Sequence, residues 1–229
     1  MSQIQKSSLK FLKDLAANNN RDWFAENRDR YDAMYLNLQD FTETLTKEMV
    51  KHDNIIEKPP KKALYRIYRD VRFSKDKSPY KGHMAGGFTR DTDWLRGGYY
   101  FGIQPGGKSM MGAGFWNPNK EDLKLIRDQI SADPKPLRKI LKSKKFKDNF
   151  GELAGEKLKT CPKGYDKENP AIDLLRHKQF LTYVKYKDSQ VTDKGFVKQL
   201  VKDFKAVRPF FDYMSEILTH DLNGVPLVK

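Results

Sequence analysis

The stretch Arg66-Ile-Tyr-Arg-Asp-Val-Arg-Phe-Ser-Lys-Asp-Lys-Ser-Pro-Tyr-Lys81 holds the densest chemistry in the chain. Arg66, Arg69 and Arg72 recur every third residue, with Tyr65, Tyr68, Phe73 and Tyr80 interleaved. A guanidinium fork binds carboxylate or phosphate through two parallel hydrogen bonds, and aromatic rings stack on guanidinium planes or bases. Three readings follow. In the first, Arg66, Arg69, Asp70 and Arg72 form a buried ion-pair network that pins a loop to a sheet, with acids such as Asp173 as partners. In the second, Arg66, Arg69, Arg72, Lys77 and Lys81 contact a phosphate-bearing ligand while Tyr80 stacks or hydrogen-bonds. In the third, Asp70 or Asp76 is a general base and the arginines steady a developing anion. The first is compatible with either of the others.

Outside this segment the chemical signals thin out. His83 and His177 are the remaining acid–base candidates, each weighed against a structural role. The four histidines show no H-x-x-x-H or H-E-x-x-H spacing, and the single cysteine, Cys161, excludes a disulfide framework or multi-cysteine zinc site. No metal and no cofactor is expected. Asp91-Thr-Asp93 reads equally as a turn before Trp94. No Gly-x-Ser-x-Gly elbow, Walker loop or Rossmann fingerprint occurs.

Charge is unevenly placed. The 229 residues carry a net +14. Residues 58–81 hold nine Lys and Arg against two Asp, and residues 135–163 hold ten against three acids, so these two segments account for the whole excess. The second is lysine-rich, which suits a solvated helix face or loose attraction of polyanions. No apolar run approaches the roughly 18 residues of a membrane span, and the N-terminus lacks a signal-peptide core. The expectation is a cytoplasmic protein without a membrane partner.

The elements that must position these groups follow from periodicity. Ser7 or Ser8 caps a short helix through Leu15, ended by the Asn18-Asn19-Asn20 run. A long helical pattern runs from Arg21 to about Lys51, with a break near Asn27 and a stripe of Tyr31, Met34, Tyr35, Leu38, Phe41, Leu45 and Met49. Pro59 and Pro60 favour extended chain. If residues 66–72 are helical the arginines share a face; if they are a strand, Arg66 and Arg72 point opposite to Arg69. Extended chain entering a turn at Lys75–Pro79 fits the neighbours better.

Ten of the fifteen glycines lie in residues 82–114, around a hairpin of Tyr99–Ile103 and Ser109–Phe115 joined by Gln104-Pro-Gly-Gly-Lys108. His83–Arg90 adds a strand, and Phe180–Tyr186 another. Helices are expected at Lys120–Ala132, at 136–142, near 144–150, and over roughly 193–219, with a kink at Pro209 unless the chain breaks there. The fold class is α+β: an antiparallel, glycine-rich sheet packed by N- and C-terminal helices, with residues 1–229 as a single domain.

The segment reads as R-x-x-R-D-x-R-F-x-x-D-K-x-x-Y, which resembles the signature of the domain-of-unknown-function 2461 family. The likeness extends to Gly112-Ala-Gly-Phe-Trp116 and to Pro170-Ala-Ile-Asp-Leu-Leu-Arg-His-Lys-Gln-Phe-Leu181. The resemblance implies no particular activity, so the residues themselves carry the functional expectation. That expectation is a binder of a phosphate-bearing partner, either nucleic acid or a phosphorylated small molecule such as a nucleotide. The alternatives are a phosphoester-processing enzyme and a scaffold whose Arg/Asp signature is structural.

Overall fold

A computed structural model describes residues 2–228. Its elements, in chain order, are helices α1 (Lys6–Ala17), α2 (Arg21–Glu26), α3 (Arg28–Met49) and α4 (Pro60–Ala63), then strands β1 (Met84–Thr89), β2 (Gly98–Ile103) and β3 (Ser109–Phe115). Helices α5 (Lys120–Ala132), α6 (Lys135–Lys142), α7 (Lys144–Phe150) and α8 (Ile172–Leu175) precede β4 (Phe180–Tyr186), and α9 (Asp188–Val191), α10 (Phe196–Ala206) and α11 (Arg208–Thr219) follow it. The strands form one antiparallel sheet in the order β1-β2-β3-β4, packed against helices, so the fold is α+β as expected. None of the helices is long and apolar enough to cross a membrane among the described residues.

The chain divides into two compact units. One runs up to Phe88 and includes Tyr100–Met111 and Lys185–Lys202; the other comprises Thr89–Tyr99, Gly112–Val184 and the chain from Asp203 onward. In the first, Leu9, Phe11, Leu12 and Leu15 of α1 are buried, and α1 lies on α3, whose Met34, Leu38, Phe41, Leu45 and Met49 form the anticipated stripe. Phe41 stacks on Phe196 and meets the edge of Phe101. The helix start differs from expectation. Gln5 is the N-cap, and Ser8 sits inside α1, donating its hydroxyl hydrogen to Asn37 Oδ1 at 2.9 Å. The break falls at Asn27 as anticipated, between α2 and α3. The β2–β3 turn uses Gly106 (φ +82°) and Gly107 (φ +69°), whose N–H groups each donate to the Asp188 carboxylate at 2.9 Å.

In the second unit Tyr99 lies edge-on to both Phe204 and Phe211, and Phe115 meets Phe210 and Phe211 in the same way. Here is the buried charge that the sequence reading sought elsewhere. The Arg90 guanidinium, 2% exposed as a residue, donates to Asp212, to Ser215 Oγ and to the Arg96 carbonyl, and lies over the Phe211 ring. Of the two outcomes open at Pro209 the chain takes the break, giving two helices that part at Val207. Proline at the second position of α11 explains the break, because it has no N–H to continue the ladder and crowds the preceding turn.

The glycines of the sheet make room for protein, not ligand. A Cβ at Gly86 would lie 2.6 Å from the Phe101 ring, and one at Gly114 (φ +146°) would lie 2.1 Å from the Phe180 carbonyl oxygen. Overpacking alone costs ~1–3 kcal/mol, and the Gly114 conformation adds strain for any L side chain. Gly114→Ala is therefore expected to lose about 3 kcal/mol or more in chemical denaturation, whereas Gly164→Ala, which meets open space at φ +89°, loses only about 1 kcal/mol from its left-handed backbone.

Candidate functional site

Residues 64–86 form a hairpin beside the first unit's helices. Leu64 bridges Gly86 and Tyr68 bridges Tyr80, both antiparallel. Between them, the Tyr65 N–H donates to Ala85 O, the Lys81 N–H to Ile67 O and the Arg69 N–H to Pro79 O, at 2.8–2.9 Å. The arginine repeat therefore lies on extended chain, not on a helix. Tyr65 and Ile67 are two residues apart while Ala85 and Lys81 are four apart, so the returning leg bulges around Gly82 and His83. A Cβ at Gly82 would lie 3.3 Å from Ala16 Cβ, a tight contact that the bulge keeps clear.

Each candidate side chain has a distinct role. Arg69 is the internal knot. Its guanidinium contacts Asp76 Oδ2 at 2.5 Å and donates to the Ser78 carbonyl at 3.2 Å and to Ser74 Oγ at 3.4 Å. Asp76 Oδ1 accepts from both the Ser78 N–H and hydroxyl. These Ser78 bonds, then Arg69, pull the Asp76 carboxyl from 3.8 to about 2. Arg72 pairs with Asp70 at 2.7 Å on the open surface, and that hydrogen bond holds Asp70 below its ordinary range. Lys77 donates to the Val71 carbonyl, and Lys81 donates to the Arg66 carbonyl. Burial, then the Arg66 charge, lowers the Lys81 pKa.

The expected buried network with Asp173 is not what this segment contains. The Arg69–Asp76 pair is half open, with side chains 26% and 61% exposed, and Arg72 and Asp70 are exposed. Asp173 belongs to the second unit, where it pairs with Arg138 at 2.6 Å. His177 belongs to that unit too. Short, local acids satisfy the signature arginines, which sequence distance alone would have favoured over a partner about a hundred residues away.

Tyr80 is also placed differently from a ligand-stacking role. It is buried, stacked on Phe24 with centroids 4.1 Å apart, and 5.4 Å from Tyr68. The exposed rings are Tyr65, Tyr68 and Phe73, the last 96% exposed at the hairpin tip with the Arg72 guanidinium 5.8 Å from its centroid. Arg66 is exposed as well. Arg28, paired with Asp32, lies over Tyr31, whose pKa burial first raises to about 12. His83 is half-buried, and desolvation, then Lys81, lowers its pKa. Among the described residues no three His, Cys, Asp or Glu side chains come together to hold a metal ion.

The residue that fixes the hairpin escaped the sequence reading. Asn19 Oδ1 accepts from the Tyr80 N–H at 3.0 Å and Asn19 Nδ2 donates to the Tyr80 carbonyl at 2.8 Å, the exchange one strand makes with another. Its neighbours carry the expected signals: Asn18 ends α1 and Asn20 caps α2 through the Trp23 N–H. An asparagine run as a helix stop gives no hint that its middle member reaches 61 positions along the chain.

Two predictions follow from this geometry. Asn19→Ala is expected to lose roughly 2 kcal/mol, since two backbone groups lose their partner at ~1 kcal/mol each. Asn19→Asp is expected to lose as much or more, because a carboxylate accepts from the N–H but faces the carbonyl without a donor; chemical denaturation and hydrogen exchange at Tyr80 check both. Asp76 is depressed in the folded chain, so its stabilising contribution is present above about 3.8 and is lost as pH falls through about 2. Asp76→Asn is accordingly expected to flatten the pH dependence of stability between about 4 and 2.

No curated protein and no solved structure matches the chain significantly. The family model described as conserved hypothetical protein (DUF2461) matches residues 7–213, which takes in the hairpin, the sheet and the Pro170–Leu181 segment. The chain belongs to the DUF2461 family.

Proposed function

We propose that the 64–86 hairpin binds a phosphate-bearing partner, and that the partner is single-stranded nucleic acid. The observation that carries this reading is the tip: Phe73, almost fully exposed, is flanked by exposed Arg72 and Lys75. An open ring beside mobile cations matches the demands of a single strand, whose bases stack on aromatics while its phosphates meet Lys and Arg. Arg66 adds a further exposed cation on the first leg, and Tyr68 a half-exposed ring. Arg72 exchanges the exposed Asp70 carboxylate for phosphate at little cost, since surface ion pairs contribute little. Arg69, Lys77 and Lys81 act mainly as braces that hold the loop in shape.

The phosphoester-processing alternative is weaker in this segment. A general base works best with a pKa near the operating pH, and Asp70 and Asp76 are both held below the ordinary carboxylate range by their partners. The scaffold reading describes Arg69 well but leaves Phe73 without a role.

The test is fluorescence anisotropy with labelled single-stranded DNA, RNA and duplex DNA over a salt series. Single strands are expected to bind with affinity that falls steeply as salt rises. Arg66→Ala/Arg72→Ala is expected to reduce the log–log salt slope by about 1.4, two contacts at ~0.7 each. Phe73→Ala is expected to weaken binding by about tenfold with the slope unchanged. Absence of binding at low salt, or binding indifferent to both variants, overturns the reading.

A further inference from the structure

The lysine-rich segment, expected to be a solvated surface, lines a cleft of about 270 Å³ in the second unit. Helix α6 contributes Arg138 and Lys142, α7 contributes Lys147, and α8 contributes Asp173. Residues 154–158 run antiparallel to 176–181, through bridges Ala154·Leu181 and Lys157·His177, which brings Lys157 and His177 to the same wall. Leu153 and Leu174 are buried beside them.

His177 is 1% exposed and still lines this cleft. Its Nδ1 lies 3.0 Å from the Gln179 carbonyl, an acceptor only, so Nδ1 carries the hydrogen and donates it. In the neutral ring Nε2 is then the acceptor, and it has no hydrogen-bond partner among the described residues. Phe180 stacks against the ring at 5.3 Å and fixes its plane. Burial first, with Lys157 adding to it, favours the neutral form against the opposing pull of the Gln179 carbonyl and Asp173.

The charges around the cleft are not balanced. Arg138 is engaged with Asp173 and the Pro170 carbonyl, and Glu152 is the other acid lining the site. Lys142, Lys147 and Lys157 have no ion pair among the described residues. Three ammonium groups without an ion pair and one unpartnered imidazole nitrogen along the same cleft suit a compact, multiply charged anion.

We propose that this cleft binds a phosphate group, free or as the monoester of a small molecule, with a phosphate oxygen at His177 Nε2 and the other oxygens among Lys142, Lys147 and Lys157. Phosphate is favoured over other anions by its proton. Inorganic phosphate keeps one proton near neutrality and a monoester takes up its second near pH 6, so in mildly acidic solution one proton is available for the Nε2···O contact whichever partner holds it. Sulfate and carboxylates carry no proton near neutrality, and each binds only if His177 takes one from solvent. The volume, at the small end of ligand pockets, suits a compact ligand. This site is independent of the hairpin proposal and stands or falls without it.

The experiment is a titration of the full chain with inorganic phosphate, methyl phosphate and sulfate at about pH 6, where the monoester still shares a proton, by calorimetry and by imidazole nitrogen NMR. The two phosphates are expected to bind and to move the His177 Nε2 resonance; tighter binding of methyl phosphate marks a monoester site, and equal binding a site for the phosphate group alone. Sulfate is expected to bind about tenfold or more weakly, as befits a missing charge-assisted hydrogen bond. His177→Asn keeps an amide donor toward Gln179 and removes Nε2; it is expected to weaken phosphate binding by about tenfold or more, as is Lys147→Gln/Lys157→Gln on the exposed wall. A wild-type Nε2 resonance that does not respond to phosphate overturns the proposal even if His177→Asn fails to fold. Phosphate affinity unchanged in the lysine variant, or sulfate binding as tight as phosphate, overturns it as well.

Discussion

One amide side chain holds the signature hairpin in place. The hairpin is irregular in register and rich in charge, and the ladder between its own legs is short. Asn19 supplies what a neighbouring strand would, an acceptor and a donor in the right order for the Tyr80 backbone. Because Asn19 stands between two helices whose ends are fixed by Asn18 and Asn20, the clamp inherits their rigidity. Everything beyond it follows in sequence: Tyr80 is set against Phe24, Tyr68 lies beside Tyr80, and the Arg69–Asp76 knot closes the loop from within.

The two basic segments solve opposite problems with different residues. In the hairpin, arginines meet local carboxylates and carbonyls, and rigid planar forks turn a flexible loop into a shaped one. In the second unit, lysines stand round a cleft without acid partners, and the one buried nitrogen there is a histidine held by a backbone carbonyl. Arg90 is a third arrangement, a guanidinium wholly inside, satisfied by a carboxylate, a hydroxyl, a carbonyl and a ring. Such a charge is tolerable inside only when its donors are matched.

Local signals in the sequence were legible and long-range ones were not. The stripe of α3, the break at Asn27, the Pro-Gly-Gly hairpin and the helix at Lys120–Ala132 each depend on residues a few positions apart, and each is present in the structure. The signature itself stood out because its arginines crowd a short span. Asn19 with Tyr80, Arg90 with Ser215, and Lys157 with His177 pair across 61, 125 and 20 positions. No periodicity encodes such meetings; they exist only once the sheet has brought distant chain together. Arg90 reads as one more basic residue at a strand end, and the lysines of α6 and α7 read as a solvated face until the ribbon opposite them is in place.

The hairpin's construction separates its legs from its tip. Below the Arg69–Pro79 hydrogen bond, the Gly82–His83 bulge commits the two legs to a fixed register against β1 and α1, where a single inserted residue would turn side chains to the wrong face. Above it, residues 70–78 are held chiefly by bonds within the loop, from Arg69 to Ser74, Asp76 and Ser78 and from Lys77 to Val71. A change of shape at the tip therefore leaves the register of the legs intact, so the loop can adjust without disturbing the helices and sheet beneath it.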